Sequence, residues 1–218
     1  EGARLILGPL FAAEVAAVAQ EARAAGVNVV CFSNDRAATA AGAFILGSPP
    51  QGQVQRIVAF ARSRGLMRFA GLVPGNAFGA TVEETLRATV AASGGETTTV
   101  ERYDPGASDA SPSVRRLGDY EARKAALAQQ RREASALNTQ AGRDALRALE
   151  GRDTAGDVAF EAVLLPDAGD RLLSIAPLLP YYDIDPAQVR FLGLAGWDDP
   201  RLSREPALVG AWFARSEE

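Results

Sequence analysis

Residues 4–35, RLILGPLFAAEVAAVAQEARAAGVNVVCFSND, constrain the fold most, because the hydrophobic period changes twice within one short stretch. Residues 4–7 are a brief apolar run that reads as a strand. Gly8-Pro9 stops its sheet pairing, since proline offers no amide hydrogen to a neighbouring strand. From Leu10 the spacing turns helical, with Val15, Val18, Ala22 and Ala25 recurring every three or four residues. Gly26 stands where a helix commonly ends on a left-handed residue. Residues 27–32, VNVVCF, are apolar on both parities, which fits a parallel strand buried on both faces. Strand, helix and strand in this order make a βαβ unit. Its loops, Gly8-Pro9-Leu10 and Ser33-Asn34-Asp35, fall at the carboxyl ends of parallel strands, the edge where open α/β sheets bind ligands.

The alternation continues along the chain. Residues 44–46 are a strand candidate broken by Gly47-Ser48-Pro49-Pro50. A helix follows with Val54, Ile57, Val58 and Ala61 on one face and Gly65 at its end. The Pro/Gly-rich turn at 47–52 divides the chain into part of a first α/β lobe, 1–47, and a second α/β lobe, 48–218. In the second lobe the patterns predict strands at 67–73, 96–103, 159–165, 190–194 and 208–213, and helices at 81–92 and 171–179. Strands alternating with helices predict parallel sheets flanked by helices.

Residues 113–150 break this rhythm. They are rich in Arg, Ala, Gln, Glu and Leu, and Gly142 is their one clear interruption. Val114, Leu117, Tyr120 and Leu127 give only a thin apolar stripe, so the segment reads as a mostly exposed helical insertion, in the form of a helical hairpin. Two roles fit it: a solvated cover for a sheet edge, or an arm that touches a partner protein.

Composition removes whole classes of function. The chain of 218 residues has a hydrophobic fraction of 47%, yet no apolar run is long enough to cross a bilayer. Residues 1–3 do not read as a signal peptide; Glu1 leads almost directly into a strand, as in a mature or trimmed portion of a longer protein. A net charge of −4 supplies no basic excess for nucleic acid. With no histidine, a Ser-His-Asp triad, a Cys-His pair and a histidine-ligated zinc site are all impossible. Cys31 is alone in an apolar strand and reads as a small buried hydrophobe. Asp183/Asp185 and Asp198/Asp199 stand beside Pro186 and Pro200, a setting for caps and turns rather than for acid/base pairs. The phosphate-binding glycine motifs and CxxC are absent. The expectation is a non-enzymatic protein with no catalytic residue, no metal and no cofactor.

The predicted strand ends collect the candidate ligand contacts. Gly8, Pro9 and Leu10 precede a helix whose free amides suit a carboxylate. Ser33, Asn34, Asp35 and Asn76 offer short polar groups, Asp167 a countercharge for an amine, and Phe78 and Trp197 apolar walls.

The order of these loops resembles the type I periplasmic binding proteins of the leucine/isoleucine/valine-binding class. The resemblance rests on the Gly8-Pro9-Leu10 turn, the strand GVNVVCFS at 26–33 and the loop PGNAFG at 74–79. GPLFAAEV, VVCFSNDR, FAGLVPGNAFG, VLLPDAGDRL and LGLAGWDDP are more closely similar to the penicillin-binding-protein activator branch, which includes outer-membrane lipoproteins. The class implies two α/β lobes joined by crossing hinge strands, a ligand between them, and periplasmic residence. By that pattern the first lobe is incomplete, lacking a strand and helix before Arg4. Phe11 and Ala12 occupy positions where amino-acid binders carry a serine or threonine pair. The branch therefore implies a regulator of peptidoglycan synthesis that contacts a penicillin-binding protein. Its only tie to a membrane would be a lipid anchor outside this sequence. The alternative is the solute-binding component of an ABC importer, working with a permease on amino acids or a similar small polar ligand.

Overall fold

A computed structural model describes residues 2–9, 12–32, 43–46 and 49–215. The chain divides into two compact units, residues 1–53 with residue 218, and residues 54–217. The division falls between Gln53 and Val54, inside a helix, whereas Gly47 and Ser48 of the expected boundary lie outside the described residues.

The smaller unit is built on a three-stranded parallel sheet of β1 (Leu5–Leu7), β2 (Asn28–Cys31) and β3 (Phe44–Ile45), in that order. α1 (Ala12–Ala24) crosses from β1 to β2. It lays Val15, Ala19 and Ala22 against Val29, Cys31 and Ala43. Cys31 is fully buried there as a free thiol, in the role its apolar strand predicts. Gly26, at φ +68°, closes the helix: its amide donates to Arg23 O at 3.1 Å and the Val27 amide to Ala22 O at 2.8 Å, a Schellman cap. Gly8-Pro9 does not end the pairing of β1, contrary to expectation. The Gly8 amide donates to Val30 O (2.8 Å) and Pro9 O accepts from Phe32 N (3.2 Å), because a proline that cannot donate still keeps its carbonyl.

The larger unit holds a five-stranded, all-parallel sheet in the order β5-β4-β6-β7-β8. Its strands are β4 (Arg68–Pro74), β5 (Glu96–Tyr103), β6 (Ala162–Leu164), β7 (Arg190–Gly193) and β8 (Trp212–Phe213). Helices cover both faces. Phe69, Val73, Ala162, Leu164 and Leu192 point to one face, where α2 (Pro50–Ser63) and α3 (Ala77–Ala92) bring Val54, Val58, Val82 and Leu86. Ala70, Leu72, Val163 and Phe191 point to the other, against α4 (Ser111–Leu117), α7 (Gly169–Ile175) and α8 (Leu178–Tyr181). Each fully buried Leu, Ile or Phe in these layers contributes about 1.5–3 kcal/mol.

The insertion is a helical hairpin, α5 (Tyr120–Ala136) and α6 (Gln140–Ala148), packed on itself and on α4. Arg131 Nη2 donates to Leu149 O (2.8 Å) and Arg152 O (3.0 Å), joining its two arms. Gly142 is not the break between them. It lies in the first turn of α6, where Thr139 Oγ1 accepts from its amide at 3.1 Å, and the chain turns at Leu137-Asn138-Thr139 with Asn138 at φ +48°. Several expected boundaries also move for local reasons. α3 starts at Ala77 because Asn76 caps it, and Pro177 splits the expected helix into α7 and α8. The expected strands 159–165 and 208–213 shrink to β6 and β8. The second is shortened by a 3₁₀ turn at Pro206–Leu208 and by Gly210 at φ +79°.

Candidate functional site

In the larger unit the carboxyl ends of β4, β5, β6 and β7 open on one edge. The loop after β4 is tied to β5 by the Gly75 amide, which donates to Tyr103 O at 2.8 Å. Asn76 follows in extended conformation, and its Oδ1 accepts from Gly79 N at 3.0 Å. That satisfies an otherwise orphan amide of α3, so Asn76 acts first as a helix cap. Phe78, in the first turn of α3, keeps its side chain exposed at this edge.

Asp167 and Tyr103 are the centre of the edge. Asp167 sits in the loop after β6 and Tyr103 is the last residue of β5. The Tyr103 hydroxyl donates to Asp167 Oδ1. Trp197, in the 3₁₀ turn after β7, donates from Nε1 to Asp167 O at 2.9 Å. The Arg171 guanidinium lies 4.5 Å over the Tyr103 ring and donates to Ala107 O (2.9 Å) and Asp104 O (3.3 Å). It thereby straps the loop after β5 to α7 and holds the phenol in place. Desolvation pushes the Asp167 carboxyl above its usual range, while the Tyr103 hydrogen bond and the Arg171 charge pull it back. Burial, and then the same hydrogen bond, push the Tyr103 phenol far up, so the shared proton stays on tyrosine. Among the described residues no ion pair neutralises Asp167: Arg171 Nη1 and Nη2 donate to carbonyls, and its buried Nε has no hydrogen-bond partner. The result is a partly buried carboxylate that can accept one more donor from solvent.

The neighbouring charges are already matched. Arg215 Nε lies 2.8 Å from Asp198 Oδ2, and Arg201 bridges Asp170 (2.7 Å) and Asp199 (2.8 Å). Asp185 and Asp199 each accept a backbone amide two residues on, at 2.8 and 2.9 Å, which is turn geometry rather than acid/base geometry.

Of the residues expected to bind ligand, Asp167 and Trp197 come together here, with Asn76 and Phe78 on the same edge. Trp197 is no exposed wall, however: it is buried in the core beneath the edge, because Gly193 leaves room for its ring. Gly8 and Pro9 are absorbed in β1–β2 pairing, and Leu10, Ser33, Asn34 and Asp35 lie outside the described residues. Phe11 also lies outside them, and only the backbone of Ala12 is described. Tyr103 and Arg171 were not among the expected contacts. The signal for Tyr103 was its place as the last strand residue before Asp104-Pro105-Gly106; Arg171 stood four residues after Asp167 in the next helix.

A second, polar cleft of about 360 Å³ opens at the amino edge of the same sheet, lined by Arg123, Thr154, Asp157, Asp183 and Gln188 among others. Arg123 is committed to structure, donating to Gly118 O (3.3 Å), Gly156 O (2.9 Å) and Asp183 O (3.3 Å) at the root of the hairpin. Among the described residues no group of three or more His, Cys, Asp or Glu side chains could hold a metal ion, and no helix is long and apolar enough to cross a membrane.

A parallel α/β sheet covered by helices on both faces, with loops gathered at its carboxyl edge, is the general doubly wound architecture, and solved structures of the type I periplasmic-binding-protein fold share it. A solute-binding protein from R. palustris, in complex with 4-hydroxybenzoate, matches with a TM-score of 0.60 and 17% identity over 92% of this chain and 46% of its own. Another, from Rhodopseudomonas palustris BisB5 in complex with 3,4-dihydroxybenzoic acid, gives 0.62 and 15% over 95% and 48%. LivJ from Streptococcus pneumoniae, the branched-chain amino acid transporter substrate-binding protein in complex with isoleucine, gives 0.53 and 16% over 89% and 44%. The chain thus spans just under half the length of these relatives. No curated protein matches it. The sequence profile described as periplasmic binding protein matches residues 1–200, and the chain belongs to that family. Membership implies a periplasmic location.

Proposed function

We propose that this chain is part of the solute-binding component of an ABC importer and that its larger unit contacts a small polar solute at the carboxyl edge of the five-stranded sheet. The observation that carries the reading is Asp167: a partly buried carboxylate, braced by Tyr103 and Trp197, that no arginine or lysine among the described residues pairs with. Fold stability alone gives no reason to keep a desolvated, unpaired charge at that place, whereas a solute bearing a hydrogen-bond donor does. Binding needs no chemistry on the solute, in keeping with the solute-binding relatives. The permease of the same importer is the partner in this proposal.

Regulation of a cell-wall synthase, expected from the motif resemblance, gains no support from the comparisons: the solved relatives named above are solute- or substrate-binding proteins, two of them of ABC transporters. The test is a thermal-shift and calorimetric screen of the complete gene product against amino acids, amines and hydroxybenzoates. A hit should weaken at least about tenfold in Asp167→Asn, the loss of one charge-assisted hydrogen bond. A hit whose affinity is unchanged in that variant removes the assignment of the site. A flat screen, together with binding of a purified peptidoglycan synthase, would return the synthase reading.

A further inference from the structure

In the larger unit the root of the hairpin carries a surface row of three tyrosines. Tyr120 opens α5, and Tyr181 and Tyr182 end α8, where the chain turns back toward the amino end of β7. The Tyr182 ring stands in the middle of the row. It meets Tyr181 edge to face at a centroid distance of 5.0 Å and Tyr120 in the same way at 5.2 Å. Tyr182 packs on the core and Tyr120 is half-buried, so fold stability accounts for both. It gives no account of Tyr181, which is 73% exposed. None of the three phenol hydroxyls has a hydrogen-bond partner among the described residues. The Lys124 ammonium lies 5.7 Å over the Tyr120 ring and pairs with no carboxylate among the described residues. Glu121, close by on the same helix, is taken by Arg115 Nε at 2.9 Å. Aromatic rings that keep unspent donors at the surface have the composition of an interface.

We infer that this row docks an extended, proline-rich segment of a partner protein, with an acidic residue of that segment beside Lys124. Three observations choose this occupant. The first is length. The row spans at most about 10 Å between its outer centroids, and one turn of a polyproline II helix covers about 9 Å, so prolines at i and i+3 fall on the outer rings. Rings set edge to face leave notches between them, the kind of aromatic groove in which prolines seat. The second is hydrogen bonding. A polyproline II segment makes no internal hydrogen bonds, and its prolines bring carbonyls without amides, so it needs a surface of donors. Three phenols and an ammonium supply them, whereas the carbonyls of a helix or a paired strand are already spent. The third is charge: a cation without a counterion beside the row complements a carboxylate on the segment. The row stands before the amino end of β7 and Asp167 after the carboxyl end of β6, so the inference goes beyond the solute-binding reading and would survive its failure.

Fluorescence polarisation with the complete gene product and a labelled peptide, EPPLPPLPE, tests it. Saturable binding is expected, weakened at least about tenfold in Tyr181→Ala, the loss of one aromatic anchor. Tm should be unchanged in that variant, because the side chain lies outside the core. The analogue with glycine at every proline position keeps the charge and should bind at least about tenfold more weakly, since it is not held in the extended helix. Lys124→Glu should weaken EPPLPPLPE about threefold or more and strengthen KPPLPPLPK. Equal binding of the proline and glycine peptides would overturn the inference, as would a Tyr181→Ala variant that binds as wild type does or no binding at about 1 mM protein. Binding of chitotetraose in place of either peptide, lost in Tyr181→Ala, would also overturn it and make the row a sugar platform.

Discussion

The two units of this chain use the same βαβ grammar and reach different states of completion. In the larger unit, successive residues of β4 alternate between two helix layers, Phe69 and Val73 to one, Ala70 and Leu72 to the other, and all four are fully buried. In the smaller unit the same alternation sends Val29 and Cys31 to α1 and leaves Leu7 and Phe44 in solvent. Strand sequence alone does not distinguish these cases, since both are apolar on both parities. A parallel strand encodes its need for two covers, and only the rest of the chain determines whether both arrive.

Substitutions can break or sharpen this contrast. The largest effect is expected for Phe69→Ala, which should cost about 3–5 kcal/mol in urea denaturation followed by tryptophan fluorescence. Both tryptophans, Trp197 and Trp212, belong to the larger unit, so that signal reports it alone. Leu7→Ala in residues 1–218 should move the hydrogen-exchange stability of the β2 amides by no more than about 0.5 kcal/mol. Comparable costs at the two sites would erase the contrast. Next in size is Gly193→Ala. A Cβ at that position would stand 2.1 Å from Trp197 Cδ2, so the indole must leave its seat, at about 1–3 kcal/mol and with loss of near-ultraviolet dichroism. An unchanged spectrum would mean that the edge beneath Asp167 is less tightly built than described.

The smallest effect carries the most information about function. The folded carboxyl of Asp167 titrates above the unfolded value of about 3.9, so its ionised form is disfavoured by folding. The penalty is absent below that unfolded value and grows as pH rises through the folded one. Asp167→Asn keeps an acceptor for Tyr103 and removes the charge, so it should raise Tm slightly at pH 7, with the gain vanishing near pH 4. A variant less stable than wild type at pH 7 would mean that the carboxylate serves the fold, and the case for a solute there would weaken. No comparable buried charge is described in the smaller unit.

Much of the fold was legible in the residues. The period switches, the glycine at the end of α1 and the alternation of strand and helix gave parallel sheets flanked by helices, and low apolar content marked 113–150 as a helical insertion. The site was legible only in part. Asp167 could be picked out by its place after a strand, yet its partners could not, because Tyr103 is remote in sequence and reaches it only when β5 and β6 flank β4. Trp197 looked like a cleft wall because an aromatic in a strand-end loop gives no sign of which way it turns. Gly193, four residues earlier, lets it turn inward.

What the sequence determined by itself is local: period, caps, turns, the absence of histidine chemistry and the parity of each strand. These follow from nearest-neighbour sterics and hydrogen bonding, which act over a few residues. What only the tertiary structure decided is pairing at a distance: the order β5-β4-β6-β7-β8, the Tyr103–Asp167 contact, and which apolar face is covered and which is bare. Burial is a property of what packs against a residue, and no residue carries that information alone.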